Sequence, residues 1–507
     1  MKLLRMVVLF VSCLLIVIPT GAGAAAAGKI VVAQGVDVLS LDPQKAGTSV
    51  DLNYCSAVFD GLLRRTGKDG IVPNLAESYR NVDPTTWEFK IRKGVFFHNG
   101  DPLTAADVAF SFSRTKKESN PFKMFFTGLK DVIAVDPYTV RIVTANPDPI
   151  LPKRMACVAY IVPEKYIREK GEEHFARHPV GTGRYRFVKH VVGQFVEMEA
   201  NDRYWGPKPA TVKTLVFKTV PDPGKRVEDL KKGRVQVAVG IPPRAVPDLQ
   251  KNSEVNVISG PSGRVVFIGF NLLKPDGSPI SDKRVRQAIS HAIDRESLIK
   301  RTLHGSGVPL ATPLVPSVDG YDPSIPPIPY DPAKARKLLA EAGYPNGFEI
   351  ALATPSGRYI HDRQVAEAVV GMLDRVGISV SVKLHDWAAY QQALVSRKLE
   401  PMYLLGWGNP LYDADGVLIP ILSTGTRVSH YSNPELDRLL QAARFEMDPQ
   451  KRQALYRECL LRIHDDVPGI YLYEEVARYG LSRNVGNFPA PEGSERKDLD
   501  MLELKSR

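Results

Sequence analysis

Residues 348–384 decide the fold, because a strand, a helix and a second strand follow one another there. The strands are predicted at FEIALAT (348–354) and SVSVKL (379–384), two short runs rich in apolar residues, and the helix at 361–376. A strand, a crossover helix and a further strand form the unit from which α/β sheets are built. This stretch therefore predicts an α/β domain.

The same alternation continues toward the C-terminus. Further strands are predicted at PMYLLGW (401–407) and GIYLYE (469–474), and further helices at 387–398, 434–446 and 449–464. The order recurs without a fixed period, so a repeat protein is not predicted. It favours an α/β architecture with a largely open sheet.

Asp-Pro pairs mark the starts of three helices, at 222–223, 331–332 and 448–449. Aspartate caps free backbone N–H groups, and proline at the first helical position has no N–H to leave unpaired. The part of the chain before these pairs is richer in predicted strands. Examples are TTWEFKIR (85–92), which alternates apolar and polar residues, and a hairpin over 185–200.

Residues 1–27 have the pattern of a secretory signal peptide. A basic stub precedes an apolar run at Met6–Ile18, and an Ala-rich segment predicts cleavage between Ala24 and Gly28. The alternative is a membrane anchor, but this run is shorter than the ~20 residues that span a bilayer. Lipid attachment at Cys13, inside the apolar run, is disfavoured. The mature chain is therefore predicted to be a soluble periplasmic protein.

The composition excludes several classes of protein. The chain has 507 residues, 44% hydrophobic and 24% charged, which suits two or three globular domains and excludes wholesale disorder. Its net charge of +11 is spread out without a Lys/Arg block, so no nucleic-acid partner is predicted. Beyond the leader, Cys55, Cys157 and Cys459 form an odd, widely spaced set that predicts buried thiols.

Catalytic and metal-binding motifs are weak. The sequence has no Gly-x-Ser-x-Gly, no phosphate-cradling glycine loop and no His-Glu-x-x-His. Ser-x-x-Lys occurs at 113–116, 297–300 and 494–497 without a Lys-Thr-Gly partner, so the spacing is attributed to chance. His174 and His178 are one helical turn apart but lack an obvious third ligand, and no metal site or cofactor is predicted.

Two aromatic-polar segments are candidates for a binding site. The first is LDPQKAGTSVDLNYCSAVFDGLL (41–63). The second is LLGWGNPLYDADG (404–416), in which a strand ends in Trp407, two glycines, a proline and two carboxylates. Proteins of the α/β class place ligands at such strand ends. Trp407 is either a core aromatic or a ligand contact, and its small neighbours favour contact with a ligand.

Five segments, in order, resemble the family 5 extracellular solute-binding proteins of ABC importers, the peptide/nickel/opine group. They are the segment 71–114 with HNGDPLTAADVAFSFSR, the segment 178–206 with GTGRYRF, VFIGFNLLKP through AIDRESLIK (266–300), GWG (406–408) and SNPELDRLLQAAR (432–444). Each segment is moderately specific, and all five in order are very specific.

The resemblance implies a bilobed periplasmic-binding-protein fold of type II, in its large three-domain variety, with a hinge and a ligand cleft between the lobes. Lobe I would be discontinuous, and lobe II would hold most of the C-terminal half. The implied boundaries are 28–62, 205–275 and 485–507 for lobe I, 63–204 for an inserted domain and 276–484 for lobe II.

The resemblance also implies ligand-binding residues. Peptide-binding relatives hold the ligand amine with an Asp in Gly-Trp-x-x-Asp, and here Pro410 stands at that place. Either Asp413 or Asp415 would replace it, or the ligand would lack a free amine. Arg363 matches an arginine that faces a ligand carboxylate, with Arg358 nearby. The implied contacts are Trp407, Gly408, Asn409, Tyr412, Asp413, Asp415, Arg363, Arg358, Thr48 and Ser49.

These observations predict a non-enzymatic, monomeric protein that captures a small zwitterionic solute, a short peptide or modified amino acid, and delivers it to ABC permease subunits. Opine-like, glutathione-like and metal-chelate ligands remain open, and an exported peptide hydrolase or a chaperone or sensory module is the alternative class. Replacing Arg363 by alanine is expected to weaken a carboxylate-bearing ligand by about 2 kcal/mol.

Overall fold

The computed structural model describes most of the chain beyond the predicted signal peptide, whose residues 1–27 lie outside the described part. The described residues are 28–66, 70–117, 119–273, 277–489, 491, 493 and 499–505. Within them, no helix is both long and apolar enough to cross a bilayer.

The strands agree with most of the sequence-based predictions, including the hairpin over 185–200. In chain order they are β1 (Lys29–Gln34), β2 (Leu63–Thr66), β3 (Gly70–Pro73), β4 (Ala76–Asp83), β5 (Thr86–Ile91), β6 (Leu129–Asp136), β7 (Thr139–Thr144), β8 (Tyr185–Val191), β9 (Phe195–Ala200), β10 (Thr214–Thr219), β11 (Val237–Val239), β12 (Val255–Phe270), β13 (Gly307–Pro309), β14 (Phe348–Pro355), β15 (Ile378–His385), β16 (Met402–Gly408), β17 (Gly469–Ser482), β18 (Val485–Gly486) and β19 (Glu503–Leu504).

The described chain contains fifteen α-helices, three of which begin where the Asp-Pro pairs predict. They are α1 (Ser49–Val58), α2 (Ala105–Thr115), α3 (Leu151–Cys157), α4 (Glu164–Lys170), α5 (Glu172–Arg177), α6 (Pro223–Lys231), α7 (Val246–Gln250), α8 (Lys283–Ala292), α9 (Arg295–Ser297), α10 (Pro332–Glu341), α11 (Asp362–Asp374), α12 (Trp387–Val395), α13 (Asp415–Leu422), α14 (Pro434–Phe445) and α15 (Pro449–Asp466). The side chains of Asp222, Asp331 and Asp448 accept backbone N–H groups at the starts of α6, α10 and α15.

One large mixed sheet runs through the molecule. Its strand order is β15-β14-β16-β12-β17-β11-β1-β10-β9-β8. β14 pairs in parallel with β15 and β16 at one end, and β1 pairs in parallel with β10 and β11 toward the other. The open α/β sheet predicted from the sequence is therefore present, with antiparallel pairs at its centre.

The central pair, β12 and β17, joins the two ends of this sheet. Residues 255–261 of β12 pair with 476–482 of β17, next to β11, whereas 265–269 pair with 469–474, next to β16. A bulge lies between Pro261 and Val265. Two long strands with a local irregularity thus connect the halves.

Both faces of β12 are buried near β16. Val265 and Phe267 pack into one core with α13, α14 and α15, and Val266 and Ile268 pack into another with α8 and α11. This alternation follows from the two-residue period of a strand. Helices on both faces of the sheet make this half a three-layer α/β unit.

A separate antiparallel sheet, β4-β5-β7-β6, forms its own core. The hairpin β8–β9 instead joins the large sheet through β10. Residues 185–200, which the implied boundaries put in the inserted domain, therefore pair with β10, which the same boundaries put in lobe I. The division into lobes stays a prediction. Cys55, Cys157 and Cys459 are buried, as predicted.

Glu474 on β17 is a buried acid at the bulge, with 2% of its surface exposed. It accepts the backbone N–H of Gly263 at 2.9 Å. Desolvation by burial nevertheless raises the pKa of its carboxyl to about 7. In the folded protein this carboxyl keeps its proton up to about pH 7, whereas in the unfolded chain it loses the proton at lower pH. The free energy of unfolding therefore falls as the pH rises through 7.

We expect Glu474→Gln to remove this pH dependence. Between pH 6 and pH 8 the free energy of unfolding of the parent should fall by about 1 kcal/mol more than that of the variant. Urea unfolding at both pH values measures the difference, with Glu349→Gln, at an exposed position of β14, as the control. Parallel pH profiles for the parent and Glu474→Gln would contradict the assignment.

Candidate functional site

A cavity of about 270 Å³ lies between the two halves of the molecule. The start of α1 and residues 121–125 line one side, and β12, α12, the end of β16 and the loops at 358–359 and 427–428 line the other. This volume is close to the ~300 Å³ lower end of small-molecule sites. Its position between halves joined by β12 and β17 suits a ligand that both halves contact.

Aromatic side chains form much of the wall on the second side. Trp387, Tyr359 and Trp407 line the cavity, and the rings of Tyr359 and Trp387 meet edge to face at 6.1 Å. The indole N–H of Trp407 donates to the carbonyl of Gly416 at 2.9 Å, which fixes its ring against the start of α13. Trp407 therefore lines the cavity with an orientation set by the protein.

Arg358 carries a positive charge at this aromatic wall. Its guanidinium carbon lies 5.0 Å from the ring centre of Trp387 and 5.2 Å from that of Tyr359. Stacking on aromatic faces is a favourable arrangement for guanidinium groups. Among the described residues, no carboxylate forms an ion pair with Arg358. A ligand carboxylate is the natural partner for such a group.

Asp362 holds the backbone next to Arg358 in place. Its buried carboxylate accepts the N–H groups of Gly357, Arg358 and Tyr359 at 3.2, 2.8 and 3.1 Å. Gly357 has φ +77°, the left-handed region that glycine adopts without strain. The loop is therefore preorganised by α11 before any ligand arrives.

Two further arginines line the cavity in different settings. Arg264 on β12 is buried, donates to the carbonyl of Gly406 at 3.1 Å and lies 3.3 Å from Glu475. Arg427 is exposed, and no described carboxylate forms an ion pair with it. Arg264 thus stiffens the end of β16, whereas Arg358 and Arg427 add net positive charge to the cavity.

The opposite side offers hydroxyl groups at the start of α1. Thr48 and Ser49 both line the cavity. Thr48 also forms a capping box with Asp51: its hydroxyl accepts the N–H of Asp51 at 3.2 Å and donates to the carboxylate at 2.8 Å. Thr48 therefore both caps α1 and lines the cavity.

The sequence matches a known protein family over more than half of its length. The sequence model of the bacterial extracellular solute-binding proteins, family 5 (middle region), matches residues 70–428, more than half of the chain. The chain belongs to this family. Solute binding, the class of function predicted from the sequence, is thereby confirmed.

Individual relatives of this solute-binding protein cover nearly the whole chain. The glutathione-binding protein GsiB of Pectobacterium atrosepticum is 31% identical over 464 residues, 89% of each chain. The dipeptide-binding protein of Escherichia coli is 28% identical, over 80% of this chain and 82% of its own. The periplasmic binding protein DppA of Helicobacter pylori, solved with the peptide STSA, superposes with TM-score 0.84 at 26% identity, over 94% and 98%. The predicted type II fold is confirmed.

Six of the ten residues expected at the binding site line the cavity of this solute-binding protein. They are Thr48, Ser49, Arg358, Trp407, Gly408 and Asn409. The polar atoms of Asn409 are used mainly by its own loop: its amide accepts the N–H groups of Leu411 and Tyr412 and donates to the carbonyl of Asp413. Asn409 therefore shapes the cavity rim.

The other four residues, Tyr412, Asp413, Asp415 and Arg363, do not line the cavity. Arg363 is exposed and pairs with Glu367 one turn along α11, at 2.7 Å. The ring of Tyr412 faces the guanidinium of Arg65. Because α11 begins at Asp362, Arg363 lies on the solvent side of the first turn while Arg358 stays on the loop beside the cavity.

The two aspartates lie behind the loop and are held by basic residues. Asp413 is fully buried, with Arg452 at 2.5 and 2.8 Å and Lys153 at 3.1 Å. Asp415 lies 3.0 Å from Arg444. We name Asp413, Asp415 and their basic partners Lys153, Arg154, Arg444 and Arg452 the loop charge cluster. This cluster ties the binding loop to α3, α14 and α15.

Ionisation of Asp413 is favoured despite its burial. Desolvation by burial raises the pKa of the carboxyl, but hydrogen bonds from Arg452 and the charges of Arg452 and Lys153 outweigh this and lower the pKa to about 2. Asp413 is therefore an anion whose charge is matched within the protein, so it strengthens the loop.

Four further residues line the cavity without a sequence pattern that singles them out: Tyr359, Trp387, Arg264 and Arg427. Trp387 follows the helix-capping Asp386, which marks a helix start and nothing about the cavity. Arg427 lies in a loop without a motif. These residues meet only because α12 and the loops converge on the end of β16.

Proposed function

We propose that this chain is exported to the periplasm, captures a small carboxylate-bearing solute, a short peptide or a modified amino acid, and delivers it to an ABC import permease. Family membership supports solute capture. The ligand class is supported by two similar proteins, one named as a glutathione-binding protein and the other as a dipeptide-binding protein. A neighbouring structure of an ABC-transporter-associated binding protein supports delivery to such a transporter.

The observation that carries the proposal is Arg358, stacked on Trp387 and Tyr359 without an ion-paired carboxylate in the described chain. A guanidinium binds a carboxylate through two parallel hydrogen bonds. Trp407 and the other aromatic rings would cover the apolar body of the solute. Ser49 would offer its hydroxyl from the opposite side, where the hydroxyl of Thr48 is bonded to Asp51, and Gly408 would line the cavity without a side chain.

The two halves would capture the solute by closing around it, because two long strands connect them. Lobe I would comprise 28–62, 205–275 and 485–507, with 63–204 inserted, and lobe II would comprise 276–484. The hinge would be the β12–β17 pair, with its bulge after Pro261. A solute that contacts both α1 and the end of β16 binds the closed form better than the open form, and this difference drives closure.

The solute is expected to leave the protein chemically unchanged. A binding protein needs charges that match the ends of its ligand and needs no nucleophile. The Ser-x-x-Lys segments at 113–116 and 297–300 do not line the cavity, which supports their assignment to chance spacing.

The experiment that tests the proposal is recovery of the solute. The full mature chain is purified without added ligand and denatured, and the released small molecules are identified by mass spectrometry. We expect a carboxylate-bearing compound that rebinds in calorimetry and is recovered at its original mass after prolonged incubation. A product of different mass would indicate an enzyme, and a recovered solute without a carboxylate would refute the assigned ligand class.

A further inference from the structure

In the described part of the chain, every charged side chain that lines the cavity is positive. Arg264, Arg358 and Arg427 line it, and no aspartate or glutamate does so among the described residues. Arg264 is matched by Glu475 at 3.3 Å. The excess positive charge of the cavity therefore comes from Arg358 and Arg427.

Two buried acids that contact lining residues, Asp51 and Asp362, are occupied by other groups. Asp51 is 1% exposed and accepts the N–H groups of Leu39, Gly47 and Thr48 at 2.7 to 3.2 Å. Asp362 is 4% exposed and accepts backbone N–H groups of the loop at 357–359. Both carboxylates accept hydrogen bonds from backbone N–H groups, so neither is available to a ligand ammonium group.

The two acids of the binding loop are excluded for the same reason. Asp413 and Asp415 are 0% and 1% exposed, and each is held by arginines of the loop charge cluster. The sequence leaves two alternatives: one of them receives the ligand amine, or the ligand lacks a free amine. Moving either carboxylate toward the cavity would leave a buried arginine without its anion, which is strongly unfavourable.

We propose that the cavity selects a dianionic solute whose amine is neutral: an N-acylated amino acid or short peptide with two carboxylates. This inference rests on the proposed function and narrows its ligand class. The two carboxylates would pair with Arg358 and Arg427. An ammonium group buried here would lose its water without gaining a carboxylate, whereas a neutral amide loses far less on burial.

The apolar side chains of the wall indicate the chemistry of the rest of the solute. Trp387, Trp407, Phe122 and Leu394 line the cavity between the charged positions. An acyl group or an apolar side chain would cover these surfaces and leave the carboxylates at the arginines. The cavity therefore combines two anion-binding positions with an apolar centre.

Equilibrium dialysis of the full mature chain against three dipeptide libraries tests the inference. The libraries are Xaa-Glu with a free amine, N-acetyl-Xaa-Glu and N-acetyl-Xaa-Gln, each with the same set of Xaa residues. We expect the best N-acetyl-Xaa-Glu compounds to bind at least tenfold more tightly than their free-amine and Gln counterparts. Equal or tighter binding of the free-amine library would overturn the inference and leave the proposed function standing.

If the protein binds no compound from the three libraries, the solute released by denaturation tests the inference. An amine-free dianion would support the inference, a solute with a free ammonium group would overturn it alone, and the absence of any released solute would overturn the proposed function as well. Arg427→Gln should reduce the preference for Glu over Gln about tenfold. Arg438→Gln, at a surface arginine of α14 paired with Glu435, should leave it unchanged, and an unchanged preference in Arg427→Gln would refute the second anion position.

Discussion

Replacement of Arg358 by alanine is expected to weaken binding of the solute recovered from the protein by about 2 kcal/mol, or about thirtyfold in Kd. The guanidinium is half-buried against Trp387 and Tyr359, so its pairing with a carboxylate is only partly screened by water. Truncation would leave the ligand carboxylate desolvated without a cation. Isothermal calorimetry of the mature chain measures the change.

Arg363→Ala is the matched control for this prediction. Arg363 lies five residues away, but its side chain is 60% exposed and pairs with Glu367. The sequence alone favours a loss of binding at Arg363; the structure moves that expectation to Arg358. Loss of affinity in Arg363→Ala with unchanged binding in Arg358→Ala would contradict this assignment and restore the sequence-based one.

Replacement of Arg452 by alanine is expected to destabilise the protein by about 3–5 kcal/mol, the largest effect predicted here. Arg452 forms two hydrogen bonds to Asp413, which is fully buried, and a third to the hydroxyl of Tyr456 at 2.7 Å. Its loss would leave Asp413 with Lys153 as its remaining basic partner in the described chain. Urea unfolding at pH 7, followed by far-ultraviolet circular dichroism, measures the loss.

The pH dependence of this effect distinguishes lost charge pairing from lost packing. The folded pKa of Asp413 is lowered to about 2, below the ~3.9 of an unfolded aspartate. Its ion pairs therefore contribute fully above about pH 4, and this contribution is lost as the pH falls toward 2. The difference between parent and Arg452→Ala should shrink over that range, whereas a packing defect would leave it constant.

Arg438→Ala provides the control for Arg452→Ala. Arg438 pairs with Glu435 on the exposed face of α14 at 2.8 Å, and exposed pairs of this kind contribute less than about 1 kcal/mol. A loss at Arg452 no larger than that at Arg438 would contradict the role of the loop charge cluster.

The elements that the sequence predicts well are those specified by neighbouring residues. The Asp-Pro pairs predict the starts of α6, α10 and α15 because capping needs only a side chain and the next few backbone N–H groups. The strand ending at Trp407 is likewise visible, since its apolar run stops at glycines. Local signals of this kind suffice for the α/β class and for one wall of the cavity.

The long strand β12 shows where local signals stop. Gly260, Pro261 and Gly263 interrupt its apolar pattern, so the sequence does not indicate one continuous strand there. In the structure these residues adjoin the bulge, and pairing with β17 carries the strand across it. The connection between the halves therefore depends on tertiary pairing, which the local sequence does not predict.

The charges of the site were the least predictable feature. Asp413 and Asp415 lie close to the expected position of an amine anchor, but their partners Lys153 and Arg452 are distant in sequence. Whether a carboxylate faces a ligand or an internal arginine depends on residues that only the fold brings together. The same holds for Arg358 and Arg363, whose different exposure follows from the start of α11 at Asp362.

Small-angle X-ray scattering with and without the recovered solute tests the central claim most directly, namely that the two halves close on a ligand at Arg358. A saturating amount of solute is predicted to lower the radius of gyration of the parent, and the same concentration should change that of Arg358→Ala far less. An unchanged radius in the parent, at a concentration at which calorimetry records full binding, would contradict closure about the β12–β17 pair.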